Sequence, residues 1–135
     1  MEYKKKINIS LVVFFMVSIV SFYIMNPVRI GLCSKYDISC GNLFAETIGV
    51  PSFLFSVSFI VILFLLRWLK ESIFISWLRF TKYYLPIAAV FVFVFPITDS
   101  SIVGIDRELM SWFLSGLFLF ISIIVIFYKY FRQPK

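Results

Sequence analysis

Histidine is absent from this chain of 135 residues, and with it go the commonest acid–base side chain and the commonest metal ligand. Cysteine occurs twice, as Cys33 and Cys40. Two thiolates without histidine leave a metal site half empty, so no metal and no cofactor is expected. Charge is sparse: charged residues make up 15% of the chain, with seven acids against thirteen bases. The net charge of +6 would suit a nucleic-acid binder only if it formed a stripe or an arm. Here the bases gather at the ends of apolar runs, which excludes that class and makes them topology signals.

What is present is apolar surface. Hydrophobic residues are 61% of the chain and the mean hydropathy is +0.99, outside the range of a water-soluble domain. The organising stretch is Val50–Leu66, with no charge and three serine hydroxyls. As a helix it covers roughly 26 Å, and a few flanking residues complete a bilayer crossing. The length allows one domain of about four such spans. The expected class is an all-α integral membrane protein with four transmembrane helices arranged as two antiparallel hairpins.

Taken in order, the first span is expected over residues 7–25, preceded by Lys4, Lys5 and Lys6. It reads as a permanent signal anchor, because Met25, Asn26 and Pro27 follow it in place of a small-x-small cleavage site. A loop over 26–48 holds both cysteines, and its part from 40 to 48 is expected as a short surface helix. The second span covers 49–68, with Pro51 in its first turn. An amphipathic cytoplasmic segment follows at 69–80, with Ile73, Phe74, Trp77 and Leu78 on one face and Glu71, Arg79 and Lys82 largely on the other. The third span, 80–97, is the shortest, and Pro86 and Pro96 read as its boundaries. After a polar loop at 98–107 comes the fourth span, 108–128, with Asp106 as its N-cap and Glu108 in its first turn. A helix cap with a neighbouring ion pair accounts for the Asp106, Arg107 and Glu108 cluster.

Orientation follows from the bases. Lys4, Lys5, Lys6, Arg67, Lys70, Arg79, Lys82, Lys129, Arg132 and Lys135 flank one side of the spans, and Arg29, Lys35 and Arg107 flank the other. The positive-inside rule then places both termini and the middle segment in the cytoplasm, N-in and C-in, in the plasma (inner) membrane. Trp68, Trp77, Tyr83, Tyr84, Trp112 and Tyr128 fall near span ends, where amphipathic rings anchor at the headgroup level.

Chemistry-bearing candidates are few. On the outward side Cys33 and Cys40 should close a disulfide; a bond that pins the loop is favoured over a redox-active pair, which would lack a second thiol pair to pass electrons onward. Away from their ends the expected spans hold no ionisable side chain, which counts against a proton-coupled pump. Ser52 and Ser56, then Ser111, Ser115, Gly116 and Ser122, and more weakly Ser10, Ser18 and Ser21, form small-residue faces for helix packing. The function this favours is a non-enzymatic accessory subunit in the lipid bilayer, acting by helix–helix contact with a membrane-protein partner or with its own copies, its disulfide-closed loop exposed outside. A membrane thiol–disulfide oxidoreductase using Cys33 and Cys40, and an oligomeric pore or exporter, are the alternatives.

Overall fold

The computed structural model describes residues 2–95 and 106–132. The described residues are all-helical: α1 (Glu2–Ile24), α2 (Ile38–Phe44), α3 (Val50–Leu66), α4 (Glu71–Val94) and α5 (Arg107–Arg132). Four helices are long and apolar enough to cross a membrane, α2 and α3 counting as one. Pro96 and nearly all of the expected 98–107 loop lie outside the described residues.

The short helix expected on the surface is instead joined to the second span. A π-helical turn, Ala45–Gly49, links α2 to α3, and the Val50 N–H reaches back to the Ala45 carbonyl. Pro51 supplies a reason: its ring crowds the carbonyl four residues earlier and offers no N–H, and a wider turn relieves both. Asp37 opens α2, its Oδ1 accepting from the Cys40 N–H at 3.0 Å.

α3 is the central helix, with more than half of its residues buried. α1 packs along it on one side and α5 on another, while α4 packs mainly on α5 and only lightly on α3. α1 is buried on so narrow a stripe that Val12, Phe15, Met16, Val20 and Phe22 all stay exposed. A surface of that kind is compatible with lipid and not with water.

The core is aromatic. Phe118, halfway along α5, is fully buried, and its ring lies 5.0 Å from Phe59, 5.3 Å from Tyr84, 6.0 Å from Phe80, 6.1 Å from Phe55 and 6.4 Å from Trp77. Phe14 stacks on Phe59 at 4.3 Å and brings α1 into the same cluster. The Trp77 indole Nε1 donates to Ser122 Oγ at 3.1 Å, and the Tyr84 hydroxyl donates to the Leu114 carbonyl at 2.7 Å. At the basic end, where Lys4 to Lys6, Arg67 and Lys129 lie, Tyr3 donates to the Leu69 carbonyl at 2.9 Å, and Ile7, Leu66, Ile73 and Ile126 pack together.

α4 departs most from the sequence reading. The expected amphipathic segment at 69–80 and the expected span at 80–97 form one helix, with Pro86 inside it. Bundled transmembrane helices tolerate an interior proline, because neighbours and local adjustments satisfy the freed backbone group. Ile73 and Trp77 do share a buried face, but Leu78 is exposed.

Candidate functional site

Because α4 leans on α5 and away from α1, the bundle is open on one side. Between α1 and α4 lies a cleft of about 700 Å³, floored by Phe59 and Leu63 of α3. Ser10 and Phe14 form the α1 wall. The α4 wall carries Trp77, Leu78, Arg79, Thr81, Lys82 and Tyr83. The Tyr3 to Leu69 hydrogen bond ties α1 to the turn after α3 at the basic end, so the cleft opens sideways along the bundle.

The polar groups of this wall sit deep. Arg79 is the ninth residue of the 24 in α4 and Lys82 the twelfth, which puts them ~12 Å and ~16 Å from its start at the helical rise. Between them Phe80 stacks on Phe118 with planes 12° apart, at the middle of α5. Thr81 is 4% exposed, and its Oγ1 is buried without a hydrogen-bond partner. Pro86 has no N–H to give the Lys82 carbonyl four residues before it. The expected third span began at residue 80 and left Arg79 and Lys82 at its edge, whereas the continuous helix α4 carries both near its own midpoint. Each would cost ~2.5–3.5 kcal/mol at a bilayer centre on translocon scales.

The other predicted residues are distributed as follows. Cys33 and Cys40 are disulfide-bonded, with Cα atoms 5.9 Å apart. Ser56, Ser111, Ser115 and Ser122 are buried and Ser52 is half-buried. Ser56 and Ser111 donate to carbonyls of their own helices, at Ser52 and Arg107, whereas Ser122 receives the Trp77 indole from α4. Gly116 is exposed, and a Cβ there would meet nothing within 4 Å, so it marks no close helix approach in this chain. The close approach is at Gly49, where a Cβ would stand 2.9 Å from Met25 Cγ and 3.0 Å from Met25 N. Trp68, Trp112 and Tyr128 are exposed near helix ends, and Tyr128 accepts from Arg132 at 2.8 Å. Trp77 is not a headgroup anchor: it is 1% exposed, its ring held by Phe59, Phe74 and Phe118 and its N–H by Ser122. Tyr83 and Tyr84 lie near the middle of α4, the first exposed and the second bonded into the core.

A second polar group closes the disulfide end. Arg107 Nη1 donates to Thr47 Oγ1 at 2.7 Å, while Nε and Nη2 donate to the Phe95 carbonyl at 3.0 Å and 2.8 Å, and Nη2 also to Phe93 at 3.3 Å. The guanidinium thus caps α4 and pins it to the π turn, in place of the local ion pair the sequence suggested. Among the described residues the one ion pair is Lys6 with Glu2, at 3.4 Å. Asp106 does cap α5, accepting from the Leu109 N–H at 2.8 Å. Glu46, one turn before the apolar run of α3, has a buried Oε2 without a partner. Burial, and then the Asp106 and Glu108 carboxylates, push its carboxyl above the ordinary 4.5, with Arg107 pulling the other way.

No protein-family model matches the chain, and neither a curated protein nor a solved structure is significantly similar to it.

Proposed function

We propose that this chain is a small multi-pass membrane subunit that works by helix–helix contact and not by catalysis. Its four long helices form two antiparallel hairpins in the plasma (inner) membrane. Both tails and the turn between α3 and α4 lie in the cytoplasm, and the disulfide-closed loop lies outside. The observation that carries the reading is the open side of the bundle. Four helices suffice to close a bundle, yet α1 and α4 stand apart, and the gap between them carries two cations and an unpartnered hydroxyl. Groups of that kind inside a membrane are retained where something meets them.

The test is purification from its native membrane in a mild detergent, followed by measurement of the native mass. A stoichiometric complex with another membrane protein is the expected result, unaffected by Cys33→Ser with Cys40→Ser beyond a loss of stability. A partner-free particle that turns over a thiol or quinone substrate overturns the proposal in favour of an oxidoreductase. A homo-oligomer that passes solute in liposomes overturns it in favour of a pore.

A further inference from the structure

Resting on the subunit reading, we infer that the cleft between α1 and α4 receives one transmembrane helix of a different protein, carrying an Asp or Glu near its midpoint that pairs with Arg79 and Lys82. Phe80 lies against Phe118 at the middle of the bundle, and Arg79, Thr81 and Lys82 occupy the same level of α4. A lysine stem of four methylenes does not reach from there to the headgroups of a ~30 Å hydrocarbon core. The charges must be met where they are.

Charge then selects the occupant. Among the described residues, Glu2, Asp37, Glu71, Asp106 and Glu108 stand at helix ends and Glu46 in the π turn at the disulfide end, so no acid reaches the level of Arg79 and Lys82. A second copy seated face to face would set Arg79 and Lys82 against their own equivalents, which repels. A phospholipid carries its phosphate at the interface, too far from this level. A helix is the form that satisfies its own backbone within the hydrocarbon, and a carboxylate on it complements both cations. Thr81 belongs to the same wall, its Oγ1 buried and unpartnered.

The experiment uses the full chain in phosphatidylcholine vesicles and a labelled Leu/Ala transmembrane peptide of about 21 residues with one central Glu. Association is read by energy transfer and compared with a peptide bearing Gln at the same place. The Glu peptide should bind about tenfold more tightly, at the upper end of what interhelical polar contacts reach in membranes. Arg79→Gln with Lys82→Gln should close that gap. Because Arg79 and Lys82 are exposed, these variants keep the bundle, and unchanged Trp77 fluorescence, read with Trp68→Phe and Trp112→Phe, checks that they do. The Glu-versus-Gln comparison on the unaltered chain stands even if a variant fails to fold.

Equal binding of the two peptides overturns the inference. So does loss of Glu preference when phosphatidylglycerol is added, which would make an anionic lipid the occupant. A photo-crosslinker at Leu78 separates this inference from the reading beneath it. If a copurifying partner crosslinks elsewhere and not at Leu78, the subunit reading holds and the cleft assignment fails. If the native particle contains only this chain, the subunit reading itself fails.

Discussion

Truncating Phe118 should be the most damaging single change in the core, and the structure sets its size. The ring is 0% exposed and has five aromatic neighbours with centroids between 5.0 and 6.4 Å away. In a water-soluble core, Phe→Ala costs ~3–5 kcal/mol, part of it transfer from water and part the cavity left behind. In a membrane the transfer part largely disappears, because lipid tails are as apolar as the core. The packing part remains, and five aromatic contacts make the hole hard to collapse, so Phe118→Ala should cost ~2 kcal/mol. Phe113 on the same helix is 62% exposed, and Phe113→Ala should stay within ~0.5 kcal/mol of the parent. The assay is unfolding of the reconstituted protein in mixed micelles by a denaturing detergent, followed by fluorescence in a Trp68→Phe, Trp112→Phe background that leaves Trp77 as the reporter at the edge of the cavity. Equal losses for the two variants would refute the placement of Phe118 at the centre of the bundle.

Ser122→Ala leaves the Trp77 indole N–H unpartnered and should cost ~1 kcal/mol, with a changed Trp77 emission in the folded protein; an unchanged spectrum and midpoint would refute that hydrogen bond. Gly49→Ala should lower the unfolding midpoint, because the new Cβ meets Met25 backbone atoms as well as its side chain, whereas Gly116→Ala should be neutral or raise it by up to ~1 kcal/mol through helix propensity; the reverse order would show that α1 and α3 do not meet at Gly49. Stability should also depend on pH through Glu46, whose carboxyl is raised above 4.5 in the fold. The folded state then holds the proton more firmly than the unfolded one, so stability falls as pH rises from about 4.5 through the raised value, and Glu46→Gln should flatten that slope. A slope of opposite sign, or one that Glu46→Gln leaves intact, would contradict the burial of that carboxyl.

Hydropathy alone carried the sequence to four long apolar helices, because a run such as Val50–Leu66 has no other stable home. The disulfide was legible from two cysteines seven positions apart in one polar stretch. The Asp106 cap was legible from an acid just before an unbroken run. What the residues concealed was α4. Arg79 and Lys82 argue for a headgroup-level segment and Pro86 for a boundary, and each inference is sound for an isolated helix. Packing on α5 carries one helix past the proline, since Trp77 finds Ser122 and Phe80 finds Phe118 before Pro86 while Ala88 and Val92 pack on Leu114 after it. Those contacts join residues far apart in sequence and leave no local signal. Arg107 was misread for the same reason: its neighbours in sequence are acids, but its guanidinium reaches Thr47 and the carbonyls at the end of α4. The pairing of Gly49 with Met25 is equally non-local, whereas the exposed Gly116 sits in a serine-rich pattern that imitates a contact.

The measurement that bears most directly on the account is cysteine scanning of α4 in intact cells, in a background of Cys33→Ser and Cys40→Ser. Single cysteines at 71, 75, 80, 87 and 94 would be probed with a membrane-impermeant maleimide before and after permeabilisation. A continuous span predicts labelling at 71 only once the cytoplasmic face is opened, no labelling at 80 under either condition, and labelling nearest 94 from outside. Ready labelling at both 75 and 80 from the cytoplasmic face would return the first half of α4 to the membrane surface. It would also remove Arg79 and Lys82 from mid-membrane, and the cleft would lose its charge argument.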